Sequence, residues 1–409
     1  MKLWLLNKKN QLIILVLSIQ VAWGYGFFYY LINNAFNKNL YERVNFIVFY
    51  SAGYIFKYFS SHRIYDLDLQ KIVQEYFFPL IKFQRFYPFN HPPLLAPLLG
   101  WAVIENINIS LFRWIFILII FHLITLVVLL NLLNLLKLEK IYRIMIGFSI
   151  LFFSPVFVSL IRGQDSTFLL LSISIFVTGV IFSQEKVAGL GLALAMIRPQ
   201  VALALALPFI FKRRKIGWWF VFWGVLLFMY TYLLLGLKGF DEFINSLIYS
   251  GQGLGFNVDR MATFMGFLLR SFPAINPQTL HILGYSGYFL SVIFTCTMWM
   301  KAQAIEFKQL SISILLTLVF VPHLHSHDYS LFLIPILGLV SMLRTRYALS
   351  QEYCALIFMG SSLILSSYEI FLYTPIIYFL VLVLILGFLP DWYLRFLPKK
   401  RINDPGACD

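Results

Sequence analysis

Four groups of residues in this 409-residue chain have the types and spacing to do chemistry. Asp66 and Asp68 present two carboxylates that can take or hold a proton. In extended chain both fall on one face, whereas in a helix or turn they diverge. His323, His325 and His327 alternate in the same way and run into Asp328, which can orient one ring. Imidazole suits zinc, yet no HExxH helix or other ligand set accompanies the row. Hydrogen bonding to a phosphate or hydroxyl is therefore the favoured reading, and no metal is assigned. Arg162-Gly163-Gln164-Asp165 and Arg198-Pro199-Gln200 each place a guanidinium inside apolar chain, where it must pair with a carboxylate or bind an anion. Its fork matches phosphate; the alternative is an ion pair with Asp165 or Asp328. Asn90-His91-Pro92-Pro93 and Asn257-Val258-Asp259-Arg260 are further polar clusters, while His122, alone in an apolar run, reads as a core residue.

The elements that must position these groups follow from composition. Hydrophobic residues make up 60% of the chain and charged ones 12%, where soluble domains run near a quarter charged. A water-soluble fold and a disordered chain are both excluded. Stretches such as Trp218–Gly236 are apolar on every face, which excludes the alternation of a membrane barrel. The expected fold is an all-α polytopic membrane protein. Its net charge of +14 does not point to nucleic acid, because the basic residues sit in short clusters between apolar runs, as the positive-inside rule describes. Cys296, Cys354 and Cys408 show neither metal spacing nor a disulfide framework. The first apolar run lacks a small-residue cleavage site and reads as an anchor.

Lys2/Lys8/Lys9, Lys137/Lys140/Arg143, Lys186, Lys212–Lys215, Lys301/Lys308, Arg344/Arg346 and Arg395/Lys399/Lys400/Arg401 are placed on the cytoplasmic side. Counting crossings between them gives about ten full spans. These lie near 10–32, 110–136, 142–160, 165–183, 216–236, 281–300, 309–322, 329–343, 354–368 and 374–389, with both termini cytoplasmic. Residues 187–211 are flanked by basic clusters at both ends and carry Arg198-Pro199 at the middle. An exposed arginine there costs roughly 2.5–3.5 kcal/mol, and proline removes a helix hydrogen bond. Two short helices meeting at Arg198-Pro199-Gln200 resolve both conflicts. Residues 92–106 form a second partial insertion, and 237–280 an outer loop. Residues 33–90 form a large outer loop, in which Asn45–Phe59 and Gln74–Phe86 are expected to lie in the membrane interface. Residues 1–390 read as one transmembrane domain and 391–409 as a basic cytoplasmic tail. On this parity nearly every unusual polar cluster falls on the outer face, which suggests a site there.

The clusters, in this order, resemble those of glycosyltransferase family 87, within the GT-C class of membrane glycosyltransferases. The resemblance is carried by Asn45-Phe46…Tyr50-Ser51-Ala52-Gly53…Ile64-Tyr65, then Asn90-His91-Pro92-Pro93-Leu94-Leu95, then Pro155…Arg162-Gly163-Gln164-Asp165. It continues through Ala188-Gly189-Leu190-Gly191…Arg198-Pro199-Gln200 to Lys212-Arg213-Arg214, and ends in Pro322-His323…Asp328-Tyr329-Ser330-Leu331. It implies a GT-C-like fold and transfer, with inversion, of a hexose such as mannose from a polyprenyl-phosphate donor. A lipid or glycan acceptor would receive it on the non-cytoplasmic face of a bacterial plasma membrane. No cofactor is implied beyond this lipid-linked substrate. The family's acidic residue before the aromatic stretch is Asn45 here, which cannot take the acceptor's proton. Asp66, Asp68 and Glu42, one helical turn before Asn45, are then the candidate bases. Arg198, with Gln200, Arg162, Gln164, Asp165, His91, His323, His327 and Asp328, is assigned to substrate. A transporter or flippase of a lipid-linked anion remains an alternative, since broken helices and a buried arginine suit transporters too. A catalytically silent relative, suggested by Asn45, is another.

Overall fold

The computed structural model describes residues 8–36, 44–79, 86–250, 261, 263–302 and 307–366. Every regular element among them is a helix. α1 (Lys8–Phe36) is followed by α2 (Val44–Tyr58) and the amphipathic α3 (Leu67–Phe77). A short α4 (Ala96–Ala102) leads into α5 (Ile107–Leu133), then α6 (Lys140–Leu151) and α7 (Ser154–Ile161). Next come α8 (Ser166–Ile181), α9 (Glu185–Leu194), α10 (Pro199–Lys212) and α11 (Arg214–Tyr249). The last five are α12 (Phe264–Ser271), α13 (Pro277–Lys301), α14 (Phe307–Phe320), α15 (Leu333–Tyr347) and α16 (Gln351–Ser366).

Among the described residues six stretches are long and apolar enough to cross a membrane: Lys8–Tyr30, Ile107–Leu136, Lys140–Ile161, Arg214–Tyr249, Pro277–Lys301 and His327–Tyr347. The chain is a helical, multi-pass membrane protein. The described residues do not by themselves give the full count of ten. α8, α14 and α16 occupy expected spans but run 14 to 16 residues, or about 24 Å at most against a hydrocarbon core of about 30 Å. The tenth expected span, 374–389, and the basic tail lie outside the described residues, as do Cys408 and the cluster Asn257–Arg260.

α8 is buried along nearly its whole length, consistent with its uniformly apolar sequence. Small residues let α9 lie directly on it: a side-chain carbon at Gly191 would collide with the backbone of Phe176, and one at Gly179 with that of Ala188. Such close backbone approach is how helices associate where lipid removes the hydrophobic drive. Phe176 touches Gly191 on one side and the Phe209 ring, at 5.4 Å, on the other. The chain therefore doubles back between α9 and α10, and residues 187–211 form a broken-helix hairpin. Proline supplies the break. It begins α10 at a position where its missing N–H matters little, and it disfavours helical geometry at the preceding residue. Arg198 accordingly sits at φ −125° and ψ 83°, at the tip.

Two expectations for the outer-loop regions are corrected. α2 does not lie on a surface: Phe46, Ile47, Phe49, Tyr50, Ala52 and Ile55 are all at most 1% exposed. Its Gly53 rests on the Leu99 carbonyl of α4, and Lys57 donates to the Val103 carbonyl at 2.7 Å. The amphipathic helix of this region is α3, which overlaps Gln74–Phe86 only at its end; residues 80–85 lie outside the described part. Nor is 237–280 simply loop. α11 turns at Gly236, whose φ of +65° suits glycine, and continues to Tyr249; α12 follows. His62 fills the space beneath the turn and donates from Nδ1 to the Leu235 carbonyl at 2.5 Å.

Candidate active site

The site begins with the turn between α7 and α8. Gly163 has φ +62°, and a side-chain carbon there would stand 3.0 Å from the Phe46 ring, so glycine fits where other residues strain. Trp114 of α5 donates from Nε1 to the Gly163 carbonyl at 2.8 Å, and Ser159 donates to the Gln164 carbonyl at 2.9 Å. The turn thus fixes Asp165, 1% exposed, at the head of α8. Arg198 reaches it from the hairpin tip with a two-pronged contact: Nη2 donates to Oδ1 at 2.7 Å and Nη1 to Oδ2 at 3.3 Å. Burial alone would raise the Asp165 pKa, but the guanidinium holds it well below the ordinary carboxylate range.

His91 completes this corner. It lies in an extended segment, residues 86–90, and the bend that follows. Side chains of α3 anchor the segment: Gln70 accepts from the Phe89 N–H at 2.7 Å, and Gln74 donates to the Tyr87 carbonyl at 2.7 Å. Tyr65 donates to the His91 carbonyl at 2.5 Å, and Ser246 of α11 to the Phe89 carbonyl at 3.0 Å. His91 Nδ1 is 2.6 Å from Arg198 Nη1 and 3.1 Å from Asp165 Oδ2. A guanidinium does not give up its proton, so Nδ1 accepts and the imidazole proton sits on Nε2. Nε2 makes no hydrogen bond to the described residues, and His91 lines the cavity described below.

The opposite wall is the segment before α15. The His323 and His325 rings are 4.6 Å apart and those of His325 and His327 5.4 Å, giving a row of imidazoles. Asp328, 2% exposed, accepts from the Ser166 hydroxyl at 2.6 Å and the His325 N–H at 3.3 Å, and lies 3.7 Å from His327 Nε2. Burial, then the nearby His325 and Arg198, hold His323 neutral by pushing its pKa well below the ordinary imidazole value. Among the described residues no three His, Cys, Asp or Glu side chains converge as metal ligands.

These walls enclose a cavity of about 270 Å³, near the low end of small-ligand sites, about 300 Å³. Seven residues expected from sequence line it: His91, Gln164, Arg198, Gln200, His323, His327 and Asp328. Asp165 stands behind Arg198. The chain also brings Phe49, Tyr87, Asn90, Ser250 and His325 to the lining. Phe49 and Tyr87 carried no sequence signal beyond the aromatic richness of their segments.

Asp66 and Asp68 do not join them. Asp66 caps α3, accepting from the Leu69 N–H at 3.0 Å, and pairs with Arg63 at 2.7 Å. Although partial burial opposes it, these contacts lower its pKa. Asp68 is exposed in the first turn of that helix, and neither carboxylate lines the cavity. Glu42 lies outside the described residues, and of Asn45 only its place in the first turn of α2 is described. Arg162 closes α7 beside the turn but does not line the cavity.

The sequence profile of glycosyltransferase family 87 matches residues 89–322, more than half of the chain. The chain belongs to glycosyltransferase family 87. No curated protein and no solved structure matches it. For this family 87 protein the matched stretch takes in the His91 segment, the Gln164-Asp165 turn and the Arg198 hairpin. It ends immediately before the imidazole row and begins after Asn45, Asp66 and Asp68.

Proposed function

We propose that this membrane glycosyltransferase takes a hexose, with mannose the first candidate, from a polyprenyl-phosphate donor. It passes the sugar with inversion to a lipid or glycan acceptor on the non-cytoplasmic face, and the membrane is a bacterial plasma membrane with both termini in the cytoplasm. The observation that carries this reading is the corner formed by Arg198 and His91. After its contacts with Asp165, His91 and the Ile197 carbonyl, Arg198 keeps Nε and one Nη2 hydrogen without a partner among the described residues. With His91 Nε2–H these make a preorganised set of donors at the wall of a small cavity. Such a set suits a phosphate whose charge grows as it leaves, because fixed donors need no reorganisation. Asp165 orients the guanidinium rather than meeting substrate.

In the reaction the acceptor oxygen bonds to the anomeric carbon as the bond from that carbon to the phosphate oxygen breaks. The electron pair departs with polyprenyl phosphate, and the acceptor's proton must pass to a base. Asn45 cannot serve. Asp165 and Asp328 already hold hydrogen-bond donors, and Asp66 and Asp68 lie off the cavity. We therefore assign proton acceptance to the imidazole row, which lines the same cavity as Arg198; Glu42, outside the described residues, is the alternative base. Base assistance of this kind contributes about 10²–10⁴-fold.

The test is donor class. Purified protein in liposomes, given radiolabelled mannosyl polyprenyl phosphate or a nucleotide-linked mannose, should consume the lipid-linked donor alone. Consumption of the nucleotide sugar alone would remove this reading.

A further inference from the structure

A second cavity, of about 710 Å³, lies between α5 and α6. It is far from the first. Trp114, near the start of α5, touches Phe49 and Gly163 beside the catalytic cavity. Asn131, at the other end of α5, lines the second cavity, about 25 Å along the helix at 1.5 Å per residue. The floor is aliphatic, formed by Leu126, Leu130, Ile144 and Leu151. Gly147 keeps it open, since a side-chain carbon there would stand 3.2 Å from the Leu130 methyl.

One end of this groove is cationic. Lys140 and Arg143 line it, and no acidic residue does. Neighbouring Glu139 is turned to Gln351, which donates to it at 3.0 Å. Arg143 is held by Asn134, which accepts from Nη1 at 2.5 Å, and Asn134 in turn donates to Asn131 at 3.3 Å. Arg143 Nε is buried and has no hydrogen-bond partner among the described residues. A buried charged donor left unmatched is unfavourable, so an anion beside this guanidinium is stabilising. Lys140 also opens α6, where backbone N–H groups favour an anion.

We propose that this groove binds an anionic glycerophospholipid, its phosphate on the Arg143 guanidinium and Lys140 and an acyl chain along the Gly147 floor. The aliphatic floor selects against a soluble anion. Two cations without a facing carboxylate select against a zwitterionic headgroup, whose own cation would have no partner. The distance from the catalytic cavity separates this lipid from the sugar donor, so its binding stands apart from the transferase reading.

Native mass spectrometry of the full chain, with dioleoylphosphatidylglycerol or dioleoylphosphatidylcholine as probe, tests the proposal. One phosphatidylglycerol should be retained in preference to phosphatidylcholine. Arg143→Gln should weaken retention about tenfold or more, the effect of losing one charge-assisted hydrogen bond. Gly147→Leu, which fills the floor and leaves the charges in place, should also abolish it, and Lys140→Gln serves if Arg143→Gln fails to fold. Equal retention of the two lipids by the wild-type protein would overturn the proposal. So would unchanged phosphatidylglycerol binding in the variants, or its displacement by inorganic phosphate.

Discussion

Arginine and aspartate carry opposite lessons here. Arg198 stood out in the sequence because a guanidinium in apolar chain demands an acceptor, and its acceptor proves to be both a carboxylate and an imidazole. Asp66 and Asp68 were attractive only by residue type. An aspartate that begins an amphipathic helix is at least as suited to capping, and Asp66 caps. His91, Gln164 and Gln200 were legible as polar residues in apolar surroundings. Phe49 and Tyr87 were not, because an aromatic lining a cavity and one filling a core look alike in sequence. Asp66→Asn and Asp68→Asn should leave transfer intact, and Asp66→Ala should lower stability by about 0.5–2 kcal/mol, the usual contribution of a cap. By contrast His325→Gln and His323→Gln should each reduce turnover by about 10²-fold or more, with donor binding kept. Steady-state kinetics and thermal unfolding in detergent separate the two outcomes. Asp165→Ala leaves Arg198 buried without its counter-charge, so it should destabilise the protein by about 3–5 kcal/mol; loss of activity without loss of unfolding temperature would assign Asp165 a direct role instead.

At the scale of elements, breaks were easier to read than faces. Proline at position 199 and flanking cations marked the hairpin, since both constraints are local. The burial of α2 was not readable, because lipid and protein interior are equally apolar and the same aromatic residues suit either. The continuation of α11 past Gly236 was missed for a related reason: glycine there turns the chain without ending its helical run. The hairpin's position depends on contacts too close for any side chain. Gly191→Val should push α9 away from α8, withdraw Arg198 from Asp165 and His91, and lose most of the activity, whereas Gly224→Ala, whose methyl would meet open space, should be neutral. Parallel activity and unfolding measurements on the two variants check this, and an unaffected Gly191→Val would mean that the tip is held by the Arg198–Asp165 pair alone.

For the whole molecule, hydropathy and charge bias fixed the class, a helical membrane protein, and six of the expected crossings are long and apolar enough among the described residues. Short buried helices such as α8 are as apolar as true spans, and length alone separates them. The arrangement puts the Arg198 cavity at one end of α5 and the Lys140/Arg143 groove at the other. If the basic end is cytoplasmic, Asn90→Cys should react with a membrane-impermeant maleimide from outside intact cells, and Lys186→Cys only after lysis; the reverse pattern would invert the topology. The central claim is that the Arg198 corner seats the phosphate of a lipid-linked sugar. It is tested most directly by transfer of labelled mannose from mannosyl polyprenyl phosphate, comparing wild type with Arg198→Lys. Lysine keeps the charge but not the fork, so transfer should fall by about 10²–10³-fold while the protein remains folded. A folded Arg198→Lys variant that transfers at the wild-type rate would contradict the account.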